Sequence, residues 1–390
     1  MDHTSNTPWL RLAAIVLFAA MTPAVLMTAP AVAAQLATQW QLSPAQIGDL
    51  FSAELGAMSL ATLPAFWWLG RVDWRRAALL AGVLFIAGNL ASAWASDYTT
   101  LLVLRVATAL AGGSLMILCL SSAATTANPS RVYGIWVMGQ LVLGAVGLAL
   151  LPGLFEHHGL AGGYRVLAAL SLLVLPLAWA FPSGHGSPRA QARNGRDAPR
   201  GKQVLGILGL LGFYIALSGV WTFIGAIGGK SGLDAGASGN ILAIATLMGI
   251  AGAGLAAVMG ERLPRNLALC SGFALMAIAT LLLLDAPQLA RFTLAALAFK
   301  FTWTYVLPFI LACLAELDAS GRLMNASNLV IGGGLALGPA LAGRLIEHQG
   351  GFHGVLMGAT AITLLSLFAI LGSRLRPAAR TALSTSESQA

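Results

Sequence analysis

Three ionisable residues stand deep in apolar stretches of this chain: Glu54, Arg105 and Lys300. A charge at the centre of a membrane helix costs roughly 2.5–3.5 kcal/mol even on the gentler insertion scale, so each is expected to do something. Glu54 lies about ten residues, on the order of 15 Å, into its helix. It can exchange a proton as its hydration changes, or it can form a fixed ion pair with Arg105 between two helices. An arginine and a lysine at this depth suit an anionic solute, the guanidinium by bidentate contact and the ammonium as a point charge. Phe301-Thr302-Trp303-Thr304-Tyr305 follows Lys300 directly, and Trp221 and Gln140 lie in other apolar stretches. Aromatic faces with a few polar groups are the usual wall of a small-molecule pocket, and equally the usual packing of membrane helices. A Glu-His pair occurs twice, at Glu156-His157 and Glu347-His348, with His158 and His353 nearby. Nothing brings these together as zinc ligands, so no metal is expected and helix-end capping is.

The elements that hold these residues follow from composition. The 390 residues are 57% hydrophobic and 9% charged, with a mean hydropathy of +0.80. Soluble domains carry roughly 25% charged residues, so the solvent here is lipid. Twelve apolar runs of spanning length are expected at 11–35, 45–68, 77–96, 101–122, 132–155, 164–182, 204–227, 239–259, 267–285, 292–314, 323–346 and 354–373. The first is a retained helix and not a signal peptide, since only Arg11 supplies a basic flank. Cys119, Cys270 and Cys313 lie inside apolar runs without metal-ligand spacing. With the N-terminus inside, sixteen of the 22 lysines and arginines fall in inner segments and four in outer ones. The net charge of +8 is therefore a topology signal that places both termini in the cytoplasm, not a nucleic-acid footprint. The expected organisation is a six-helix bundle over 1–182, a cytoplasmic linker over 183–203, a second bundle over 204–374 and a disordered tail over 375–390.

The chain also repeats itself. Leu42-Ser43, Gly48, Arg131, Gly147, Leu154 and Glu156-His157 recur 191 residues later as Leu233-Asp234, Gly239, Arg322, Gly338, Leu345 and Glu347-His348. Six spans precede the linker, so both halves start inside and the repeat is parallel. In this register Arg105 maps to Ala296, one turn from Lys300, while Glu54 maps to Ala245.

The loop Gly70-Arg71-Val72-Asp73-Trp74-Arg75-Arg76 is similar to the inner loop between helices 2 and 3 of the major facilitator superfamily, shortened by about three residues. Leu104-Arg105-Val106-Ala107-Thr108 resembles that family's helix 4. Gly139, Gly144 and Gly147 partly match its antiporter pattern on helix 5, and Gly334, Gly338 and Pro339 on helix 11 come closer to it. Small residues at this spacing also serve plain helix packing. The resemblance covers nearly the whole chain. It implies an all-α integral membrane protein of twelve transmembrane helices in two parallel six-helix repeats. It implies that helices 1, 4, 7 and 10 line a central cavity, so that Arg105 and Lys300 face each other across it. It also implies that Gly70, Asp73, Arg75 and Arg76 form a gating loop, with positive-inside bias as the plainer account.

The expected function is secondary active transport of a small organic solute by alternating access, proton-coupled through Glu54 and Arg105, with efflux or antiport favoured. Arg105, Lys300, Trp303, Tyr305, Gln140 and Trp221 are the expected solute-binding residues. The alternatives are proton-coupled transport of a specific organic anion, and a non-transporting membrane sensor or assembly protein on the same fold. No Gly-x-x-x-x-Gly-Lys-Ser/Thr loop is present and no histidine lies in a span, so neither ATP hydrolysis nor enzyme chemistry is expected. No cofactor is expected either. The partners are the solute, a proton and the lipid of a bacterial inner membrane, and the chain is expected to be a monomer.

Overall fold

A computed structural model describes residues 9–184, 198–260, 262–318 and 322–374. The expected tail, 375–390, and most of the expected linker, 185–197, lie outside the described residues. The helices are α1 (Trp9–Met21), α2 (Ala24–Met27), α3 (Ala29–Gln39), α4 (Pro44–Leu60), α5 (Thr62–Trp68), α6 (Trp74–Ser92) and α7 (Tyr98–Ala124). They continue as α8 (Pro129–Val174), α9 (Arg200–Lys230), α10 (Ala235–Met259), α11 (Arg265–Leu281), α12 (Leu289–Leu317), α13 (Arg322–Gln349) and α14 (His353–Arg374). Among the described residues eight helices are long and apolar enough to cross a membrane. The difference from twelve comes largely from breaks and a merger. The first expected span is the broken rod α1–α3, and the second is α4 and α5 hinged at Ala61. The fifth and sixth are one helical run, α8, bent back only at Gly159, whose φ of 60° suits a residue without a Cβ.

Caps set where the rods begin. Ser43 and Asp234, equivalent in the repeat, are both N-caps, accepting from Gln46 and Ala237 backbone N–H groups at 3.3 and 2.7 Å. Asp97 and Asn128 do the same for α7 and α8. α9 begins at Arg200, inside the stretch expected to be linker.

The first rod is broken for a covalent reason. Pro23 and Pro30 have no N–H, so the carbonyls four residues earlier, Ala19 and Leu26, lose their helical donors. Buried carbonyls need partners, and both find them on other rods. Gln140 of α8 donates its side-chain amide to Ala19 at 2.8 Å. Trp221 of α9 donates its indole N–H to Leu26 at 2.9 Å.

Among the described residues the halves meet chiefly along three contacts. α4 packs on α13, α8 on α10, and α3 on α9. α7 and α12 pack chiefly within their own halves. The contacts use glycines to bring backbones together. A Cβ at Gly48 would collide with the Pro339 carbonyl, and one at Gly239 with the Leu148 carbonyl. These two collisions are the same contact in the repeat, since 48 and 148 map to 239 and 339 at an offset of 191.

Candidate functional site

Lys300 projects from α12 into a wall of aromatic rings. Its ammonium lies 3.9 Å from the centre of the Trp221 ring and 4.2 Å from that of Trp303. Phe299 stacks on Trp221 with ring centres 6.5 Å apart and planes 9° from parallel. Lys300 is 1% exposed, and among the described residues no carboxylate pairs with it. Indole faces attract an ammonium, but they give its three N–H groups no oxygen to bond. Helix geometry explains the membership of this cluster. Trp303 is three residues on from Lys300 and shares its face. Tyr305 is five on, about 140° round the helix, and points elsewhere. Its ring packs on Phe301 and Phe309, at 5.7 and 5.3 Å, against Gly272 of α11. The structure therefore brings Trp221 and Trp303 to Lys300 and does not bring Tyr305 or Gln140, the latter being tied to Ala19.

Glu54 and Arg105 meet, and Arg105 does not meet Lys300. The Arg105 Nε donates to Glu54 Oε2 at 3.2 Å and its Nη2 pairs with Glu54 Oε1. Its Nη1 donates to Asn89 Oδ1 at 2.9 Å. Its carbon centre lies 4.8 Å over the Tyr164 ring. The facing pair of cations expected across one cavity is thus replaced in this state by a closed polar cluster of α4, α6, α7 and α8. A carboxylate with two free oxygens one helix away outcompetes a distant position, because burial penalises any unpaired charge. Asn89 and Tyr164 were not singled out from sequence. A buried arginine has five donors, which signals that acceptors beyond one glutamate are needed but not which ones.

The loop expected to gate ties the first bundle to itself and to the start of the linker. Asp73 caps α6 through the Arg75 and Arg76 N–H groups at 3.0 and 3.2 Å, and accepts from Gly184 N–H at 2.7 Å. These bonds, that from Gly184 first, hold the Asp73 carboxyl below its ordinary range. Arg75 donates to the Phe181 carbonyl at 2.8 Å. Arg76 is exposed, and open space surrounds Gly70, so close approach does not require a glycine there.

The glycines of α8 and α13 lie in contacts. Gly139, Gly144 and Gly147 face Val16, Met27 and Thr28 of the broken first rod. Gly334 and Gly338 face α9, and Pro339 faces Gly48. The Glu-His repeat supplies one cross-half cap. Glu347 accepts from the Ser43 hydroxyl at 2.7 Å and the Ala45 N–H at 3.0 Å, beside an Arg344–Asp49 pair at 2.6 Å. Among the described residues no cluster of three metal-ligand side chains occurs.

Duplicated apolar rods, glycine-lined contacts between the halves and charges buried near the middle define a two-part helical membrane carrier. The family model described as Major Facilitator Superfamily matches residues 12–317, and the chain belongs to that family of membrane transporters. It is similar to the gallate transporter of Pseudomonas putida, 32% identical over 170 residues, which is 41% of this chain and 38% of that one. The chain thus matches well under half the length of that relative. Among solved structures it resembles a bacterial homologue of the human lysosomal transporter Spinster in an inward-facing, occupied conformation. There the TM-score is 0.71 at 16% identity, covering 94% of this chain and 98% of that one. It also resembles a point mutant of the nucleoside transporter NupG, with a TM-score of 0.74 at 12% identity, covering 94% and 100%. At these identities the structural likeness shows the fold.

Proposed function

We propose that this protein is a secondary active transporter working by alternating access, and that its solute is a small organic anion anchored at Lys300. The observation that carries this reading is the buried ammonium of Lys300, held on two indole faces with no carboxylate partner among the described residues. An ion taken out of water without its counter-charge is costly, and an arriving carboxylate supplies the missing acceptor. The flanking rings favour a flat, aromatic acid, and the similarity to a gallate transporter points the same way. This moves the weight from efflux of varied compounds to the specific-anion alternative.

The capped and charged contacts between the halves lie at the end of the bundle that the cation bias places outside, while the α4–α13 contact continues inward to Ser59 and Gly332, and this supports reading the arrangement as an inward-facing carrier in a bacterial inner membrane. Glu54 is the proton site in this scheme. Protonation would release Arg105 from one partner and loosen the cluster that joins α4 to α7. A monomer suffices in this scheme, since both halves come from one chain.

The test is uptake of gallate, benzoate and aliphatic carboxylates into proteoliposomes with an imposed pH gradient. Lys300→Gln is expected to lower anion flux by about a hundredfold while the protein stays folded, the scale of losing one charge-assisted anchor. Unchanged apparent affinity for every carboxylate would discard the anion reading. Glu54→Gln is expected to remove the dependence on the pH gradient, and a preserved dependence returns Glu54 to a purely structural pair.

A further inference from the structure

Trp221 holds two contacts at once. Its N–H donates to the Leu26 carbonyl of the other half at 2.9 Å, and its ring face carries the Lys300 ammonium at 3.9 Å. The side chain is fully buried. The Leu26 carbonyl is the one that Pro30 leaves without a helical donor. In the repeat, position 30 maps to 221. One duplicated position thus carries the proline that frees a carbonyl in the first half and the indole that satisfies it in the second. Next to this bond α3 and α9 approach closely, with Gly225 against the Pro30 carbonyl.

We infer that Trp221 is a positioning residue that reports occupancy of the Lys300 site to the contact between the halves. The inference rests on the reading that Lys300 anchors the solute. An anion drawing the ammonium to itself takes the cation off the indole face. The ring then loses one of the contacts that fix its angle and keeps only its neighbours Phe299 and Trp303, and turning it against them withdraws the N–H from Leu26. A buried carbonyl left without a donor is destabilised, so the contact of α3 with α9 weakens when the site fills. The link needs no long pathway, because one side chain touches both the anchor and the other half.

The test separates ring from N–H. Trp221→Phe keeps an aromatic face for Lys300 and removes the donor. Pro30→Ala restores a backbone N–H for Leu26. Spin labels at His157→Cys and Ala235→Cys, both exposed and on opposite halves, report sealed and open populations in the full chain, with the native cysteines replaced by alanine. Without solute, Trp221→Phe is expected to lower the sealed-to-open ratio by about tenfold, and in the Pro30→Ala background by less than about twofold. Equal shifts in both backgrounds overturn the link. With gallate as the probe, at a concentration that saturates each variant, gallate is expected to shift the label distances of the parent and no longer those of Trp221→Phe. Binding weakened as much as in Lys300→Gln makes Trp221 a wall of the site and overturns the proposal. Lys300→Gln binding gallate like the parent defeats the anchor reading instead, and the solute-free arm still judges the hydrogen bond.

Discussion

The α4–α13 seam and the α8–α10 seam are the same contact made twice, and they differ in polarity. Each buries a glycine against a carbonyl, Gly48 on Pro339 and Gly239 on Leu148. Among the described residues only the first adds charge and hydrogen bonds. Asp49 pairs with Arg344, Glu347 caps α4 through Ser43 and Ala45, and Ser52 enters the α13 ladder beside Pro339. There the Ser52 hydroxyl donates to Ala336 and accepts from Ala340 N–H at 3.2 Å, standing in the helix's own bond. At the second seam the equivalents of Asp49, Arg344 and Ser52 are Asn240, Gly153 and Ala243. The equivalents of Ser43 and Glu347 are Asp234 and Glu156, two acids that would repel where the first seam attracts. Duplication supplied the shape of both seams, and divergence gave one of them a latch.

The largest effect should come from the shared shape. Gly48→Leu and Gly239→Leu each drive a side chain into backbone that has no flexible end to yield. Overpacking of this kind costs about 1–3 kcal/mol, so each variant should lower the sealed population by about ten- to a hundredfold in label-distance or cysteine-accessibility measurements. Similar losses are expected at both seams in spite of their different polarity. A large loss at Gly48 alone would mean that the polar contacts, not the glycine, make the first seam.

Much of this was legible in the sequence. The offset of 191 aligns Gly48 with Gly239 and Ser43 with Asp234 in the sequence alone, and apolar length locates the rods. Pairing of α4 with α13 was not legible, because residues nearly three hundred positions apart leave no local periodicity. The breaks in the first rod had a visible cause in Pro23 and Pro30. Their consequence, that Gln140 and Trp221 would be recruited as donors, depends on which rods come to lie beside the freed carbonyls. In the sequence Gln140 reads as a solute residue for the same chemical reason that makes it a good donor to Ala19. The sequence also showed Glu54 and Arg105 as a possible pair, but Asn89 and Tyr164, which complete the cluster, look like any polar or aromatic residue of a span.

A smaller effect should follow from the latch. The Arg344 and Asp49 side chains are 58% and 40% exposed, so their pair is worth at most about 1 kcal/mol after solvent screening. Arg344→Ala is expected to lower the sealed-to-open ratio by no more than about fivefold, and by less at about 1 M salt. Installing the pair at the other seam, with Asn240→Asp and Gly153→Arg together, should recover part of that loss. Failure of the double substitution to stabilise an otherwise intact seam would show that the two contacts are less alike than their glycines imply.

The smallest effect on the seams should come from Asp73, and it serves as the control for the comparison. Its partners are Arg75 and Arg76 beside it and Gly184 at the start of the linker, none of them in the second bundle. Asp73→Asn should therefore leave the sealed-to-open ratio unchanged while lowering thermal stability. The carboxyl is held below its ordinary value of 3.8, chiefly by the Gly184 N–H. A carboxyl lowered on folding contributes stability that is fully present above its unfolded value and is lost as pH falls through its folded one. The difference in melting temperature between Asp73→Asn and the parent should then be constant from neutral pH down to about pH 5 and shrink below about 3.8. A seam population that moved with Asp73→Asn at neutral pH would carry this loop across the divide between the halves, and would restore to it the gating role that its contacts in the sealed state do not show.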